Sequence, residues 1–104
     1  MGTLEVHNLS DLARFDSAAP AKTVFYEHGT LKAQVMGLEP GQRIPPCSMS
    51  HDVVFVVLEG DGEVVADAER CSIRSFSWVL VPKETRSRSI EAATKMTVLA
   101  MQVR

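Results

Sequence analysis

From Thr23 onward, hydrophobic residues come in short runs broken by turn-formers, not at helical spacing. Thr23-Val24-Phe25-Tyr26 and Leu31–Leu38 come first, joined through Glu27-His28-Gly29-Thr30. Glu39-Pro40-Gly41-Gln42 reads as a turn, because proline presets one backbone angle and glycine accepts a positive φ. Val53–Leu58 is dense in β-branched residues and long enough only for a strand. Gly60-Asp61-Gly62 turns it into Glu63-Val64-Val65-Ala66; Ser72-Ile73-Arg74, Phe76–Val81, Ser87–Ile90 and Met96–Val103 follow. Eight or nine strands at intervals of about 8–12 residues predict an all-β antiparallel sandwich or barrel. Closure is favoured because it removes exposed strand edges. Phe76 and Trp78 lie in an apolar run and are expected in the core.

The opening departs from this pattern. Ser10 is placed to cap one helical turn, Asp11-Leu12-Ala13-Arg14, and Asp16-Ser17-Ala18-Ala19-Pro20 then breaks it. Residues 1–21 are therefore an N-terminal arm with at most one short helical turn. All 104 residues form a single domain, since a second core would leave each half too small.

Composition narrows the class. With 45% hydrophobic and 23% charged residues the chain is ordinary globular protein. Its longest apolar runs, Val53–Leu58 and Phe76–Val81, fall far short of the ~20 residues that span a bilayer. The first residues show no basic segment followed by a hydrophobic one, so a cytoplasmic protein without a membrane partner is expected. Cys47 and Cys71 form no Cys-x-x-Cys pair, and two cysteines make no disulfide scaffold. Net charge is −2, but the first 70 residues carry five basic and eleven acidic side chains, the remainder six and two. The six late cations, Arg74, Lys83, Arg86, Arg88, Lys95 and Arg104, sit on separate segments without interleaved aromatics. No nucleic-acid partner is expected from such scatter.

Punctuation carries the strongest signal. Pro40-Gly41, Pro45-Pro46 and Val53–Leu58 ending in Glu59-Gly60 are followed by a second strand, Val79-Leu80-Val81, stopped at Pro82. Over Leu38–Ile90, half the chain, this resembles a small single-domain cupin of the RmlC-like superfamily. The resemblance implies an antiparallel double-stranded β-helix, a jelly-roll barrel. In the family, two histidines, a glutamate and a later histidine point inward and hold a metal ion. Counted from Gly60 and Pro82, those positions here are Cys47, Met49, Val53 and Ser87, and the glycine of the second motif is Glu84. Val53 has no donor atom, and sulfur ligands suit neither Mn²⁺ nor Fe²⁺. The usual metal cofactor is therefore not expected.

The candidate ligand-binding residues are Cys47, Met49, His51, Val53, Ser87 and Arg43. Positions 47, 49 and 51 share strand parity, so they can line one cavity. Thiolate, thioether and imidazole together also form a soft set for Cu(I), the alternative cofactor. Arg43 has the same parity, and a guanidinium there would grip an anion bidentately. His51 as base with Tyr26 as acid is the catalytic alternative, a metal-free isomerase. An inward Ser87 would turn Arg86 and Arg88 outward. The preferred reading is a metal-free barrel that binds a small, largely apolar or weakly anionic molecule in an accessory or regulatory role. It is expected to form a homodimer, and a purely structural dimerisation module is the third alternative.

Overall fold

The computed structural model describes residues 2–46 and 50–103. Strands form where the pattern places them: β1 (Ala21–His28), β2 (Leu31–Leu38), β3 (Asp52–Glu59), β4 (Asp61–Ala66), β5 (Glu69–Arg74), β6 (Trp78–Val81), β7 (Arg88–Ala92) and β8 (Met96–Val103). They pair antiparallel into two sheets, a five-stranded one in the order β1-β2-β8-β3-β6 and a three-stranded one in the order β5-β4-β7. The inner faces meet over one hydrophobic core that takes Leu38, Val57 and Met96 from the first sheet and Val64, Ile73 and Ile90 from the second. The fold is all-β, as the strand spacing predicts. No helix among the described residues is long and apolar enough to cross a membrane.

The segment after β2 extends the smaller sheet. Gly41 and Ile44 donate backbone hydrogen bonds to the Ala92 and Ile90 carbonyls at 2.9 and 2.8 Å, and Ala92 donates to the Gln42 carbonyl at 2.9 Å. Arg43 and Glu91 form an isolated bridge there. This covers the free edge of β7, which would otherwise leave donors and acceptors unpaired.

Two tight contacts fix the frame. Gly60, between β3 and β4, has φ 89°, and a Cβ on it would lie 2.2 Å from the Lys95 carbonyl oxygen. Only glycine both accepts that backbone angle and leaves that space. Gly37 of β2 passes beneath the N-terminal arm, where a Cβ would fall 1.9 Å from the Arg14 carbonyl oxygen. The arm thus lies against the outer face of the five-stranded sheet. His7 stacks on Phe25 with ring centroids 5.1 Å apart, and the Lys95 ammonium sits 4.2 Å from the Phe15 ring centre.

Three local expectations are corrected. The helical turn is a 3-10 turn at Leu9–Leu12, and Ser10 lies inside it; Asn8 precedes it and supplies no side-chain cap. Phe76 is outside any strand, with φ 71° and 87% exposure. Trp78 does lie in β6 but is 64% exposed. Strand parity explains this: Val79 and Val81 pair with Phe55 and Val53 on the core side, which turns Trp78 and Leu80 outward.

Candidate ligand-binding cavity

The core does not fill the barrel. Along β2 and β8 the inward partners run Leu38–Met96, Met36–Val98, Gln34–Ala100 and Lys32–Gln102. Apolar pairs close one end and polar pairs line the other. Between them lies a 440 Å³ cavity whose wall includes Met36, Ile44, Val53, Phe55, Ile90 and Ala100. Lys22 and Val24 of β1 also belong to the wall; Val24 is 47% exposed, so the mouth lies on the β1 side. Below Val24 a bulge interrupts the β1–β2 register before Tyr26. Phe25 and Tyr26 then both turn to the outer face, where they line a depression with Glu5, His7 and Leu9 of the arm.

Arg88 supplies the charge at the other side of the cavity. It is 2% exposed, opens β7, and lines the cavity together with Ser89. Its placement begins at Asp67, in the turn between β4 and β5 with φ 52°. The Asp67 carboxylate accepts from the Arg86 and Ser87 backbone N–H groups at 3.0 and 2.9 Å, while the Asp67 N–H donates to the Ser87 carbonyl at 2.8 Å. Ser87 is thereby held at the turn, and the next residue pairs with Ala66 on the inner face. The Arg88 guanidinium donates to the His51 carbonyl at 3.2 Å from Nη1, and to the Pro82 and Thr85 carbonyls at 3.2 and 3.5 Å from Nη2. A buried cation needs such acceptors, because taking it out of water costs several kcal/mol. The same bonds tie the loops flanking β3 and β6 to β7. Ser89 donates its hydroxyl hydrogen bond to the Ile44 carbonyl.

Of the residues singled out from sequence, Val53 lines the cavity. Ser87 does not; the inward position belongs to Arg88, one residue on. Arg43 is exposed, and its neighbour Ile44 is the one that faces the cavity. His51 contributes its backbone carbonyl, and its ring is absent from the cavity wall. Tyr26 stands on the opposite face of the sheet, near His28 at 6.5 Å between ring centroids, so the structure does not bring it to His51. Cys47 and Met49 lie outside the described residues.

Lys22, Lys32, Gln34, Gln102 and Arg88 were not singled out. For Arg88 a signal exists: Ile90 and Ala92 alternate with Glu91, which places residue 88 on their face. For Lys32 and Gln34 the alternation misleads. Ala33 and Val35 look like the core-facing set of β2, yet they are buried on the outer face, the side that Gly37 turns to the arm.

Among the described residues the wall does not fit a metal ion. It offers two ammonium groups, a guanidinium, amides, a hydroxyl and the Met36 thioether, with no carboxylate and no imidazole. Three cations oppose a fourth, and no anionic donor among the described residues lines the wall to offset them.

The class this geometry defines is the double-stranded β-helix, two facing antiparallel sheets with a ligand-sized space between them. Its fold is that of the RmlC-like cupins. A cupin of that type from Desulfovibrio desulfuricans superposes with a TM-score of 0.88 at 26% identity, covering 97% of each chain. An uncharacterised double-stranded β-helix protein from Klebsiella pneumoniae does so at 0.88 and 12% identity, over 97% of this chain and 90% of its own. Salicylate 1,2-dioxygenase from Pseudoaminobacter salicylatoxidans aligns at 0.75 and 21% identity, over 84% of this chain but 27% of the enzyme. No protein-family model matches the sequence, and no curated protein matches it either.

Proposed function

We propose that this chain is a metal-independent cupin barrel that binds a small molecule in its cavity, in an accessory or regulatory role and not a catalytic one. The observation that carries the reading is the amphipathic 440 Å³ cavity, open beside Val24 and closed at the Leu38–Met96 end. Cavities of roughly 300–1,000 Å³ with apolar walls and a few placed polar groups suit small ligands. Against acid–base catalysis stands the separation of Tyr26 from the cavity and the absence of the His51 ring from its wall. The dioxygenase neighbour acts on an aromatic acid, but at its identity and coverage it lends this chain a fold and not a reaction.

A homodimer accompanies the reading. Trp78 and Leu80 are exposed on the outer face of β6, an edge strand, and exposed aromatics of this kind are what subunit interfaces cover.

The test is a thermal-shift screen of small organic molecules on protein purified and stripped of metal. A guest at 100 times its Kd stabilises by about 2.7 kcal/mol. A family of related compounds raising the midpoint without metal is expected. Stabilisation that appears only with added Cu(I) or another metal, together with stoichiometric metal in the purified protein, overturns the proposal.

A further inference from the structure

We infer that the guest of this cavity is an organic anion, a carboxylate on a compact apolar body; the assignment rests on the small-molecule reading above. Three cations reach the wall from three strands: Lys22 from β1, Lys32 from β2 and Arg88 from β7. No carboxylate of the described residues lines it. Glu27, the cross-strand partner of Lys32, is exposed and outside the wall. Gln34 and Gln102 add amide groups on the same side as Lys32. A chain of net charge −2 thus gathers a positive field in its one amphipathic barrel interior.

Lys22 is exposed at the mouth, but the other two charges are not the solvated scatter of a surface. Arg88 is nearly wholly buried, and the His51, Pro82 and Thr85 carbonyls are among the partners that fix its guanidinium at the cavity wall. Lys32 is half-buried and faces inward beside Gln102. Inside a partly dry cavity such charges attract an anion more strongly than they would at the surface. Further along the same strands toward the Leu38–Met96 end, Met36 and Ile90, with Phe55 of β3, have nothing to offer a charged group and suit a ring or short chain. A carboxylate therefore enters with its charge toward Lys32 and Arg88 and its apolar body toward Phe55. A neutral guest gains less from the cations than an anion does, and an organic cation is repelled by them.

Matched pairs that differ only in charge test this: benzoate against benzamide and hexanoate against hexanamide, titrated into the full chain and followed by amide NMR shifts. The acid of each pair is expected to bind about tenfold tighter than its amide, the worth of a charge-assisted hydrogen bond. The shifts should fall on β2, β7 and β8. The Lys22→Gln/Lys32→Gln double variant should lose most of the acid's advantage over its amide; it spares buried Arg88, so folding is not at stake. Equal binding of acid and amide overturns the anion assignment and leaves the small-molecule reading standing. Tighter binding of benzylamine than of benzoate overturns it too. If no member of either pair shifts cavity amides and the thermal-shift screen is also blank, both readings fall.

Discussion

The two ends of the barrel interior are built from the same strands and have opposite characters. At one end Leu38, Met96, Val57 and Val98 leave no accessible surface. At the other, the continuation of β2 and β8 presents Lys32, Gln34 and Gln102, and β7 presents Arg88. Burial of the apolar end holds the sheets together at roughly 25 cal/mol per Å² of apolar surface removed from water. The polar end could not be packed shut without stranding charges, so it stays hollow. Stability is concentrated in one half of a single inner surface and binding capacity in the other.

The largest effect expected from that division belongs to the sealed end. Leu38→Ala should lower stability by about 3 kcal/mol, as for other buried leucines, read from the denaturant midpoint. Gln34→Leu, at the open end of the same strand, should leave the midpoint unchanged or raise it. If the two variants behaved alike, the division would be wrong. Arg88→Met comes next. Removing the guanidinium strands the His51, Pro82 and Thr85 carbonyls and should cost about 1–3 kcal/mol, measured in the same way. A cost near zero would reduce Arg88 to a charge with no part in the frame.

Smaller effects lie outside the cavity. Trp78→Ser should shift the protein toward monomer in sedimentation at micromolar concentration, with the fold intact by circular dichroism; an unchanged mass would remove β6 from the interface. Glu27→Gln should tighten benzoate binding by about twofold at low ionic strength, an advantage that salt erases. Arg70→Ala should leave the unfolding midpoint where it is. Glu91 and Glu63 hold the Arg70 guanidinium pKa above its ordinary value through hydrogen bonds at 2.9 and 3.0 Å, but all three groups are open to water.

Much of this architecture was legible along the chain. Turn residues such as Gly60 and Pro82, and β-branched runs such as Val53–Leu58, act within a few neighbours, so strand positions and the barrel class follow from local rules. The cupin resemblance rests on the same punctuation. Counting back from Gly60 along the motif of the resembling family places Val53 on the inner face, and β3 does alternate between buried and half-buried positions there.

Which residues meet inside the barrel was decided by tertiary structure. Asp67, distant in sequence, grips the backbone at Ser87 and so sets the register that turns Arg88 inward. The arm buries Ala33 and Val35 from outside, which sends Lys32 and Gln34 into the interior against their apparent polarity. A β1 bulge carries Tyr26 to the far face. The arm and the bulge override the two-residue period of β2 and β1, while at Arg88 the Asp67 contact fixes the register that the alternation of β7 already suggests. A shift of one residue exchanges the faces of a strand, so the site is set by contacts that no local stretch of sequence contains.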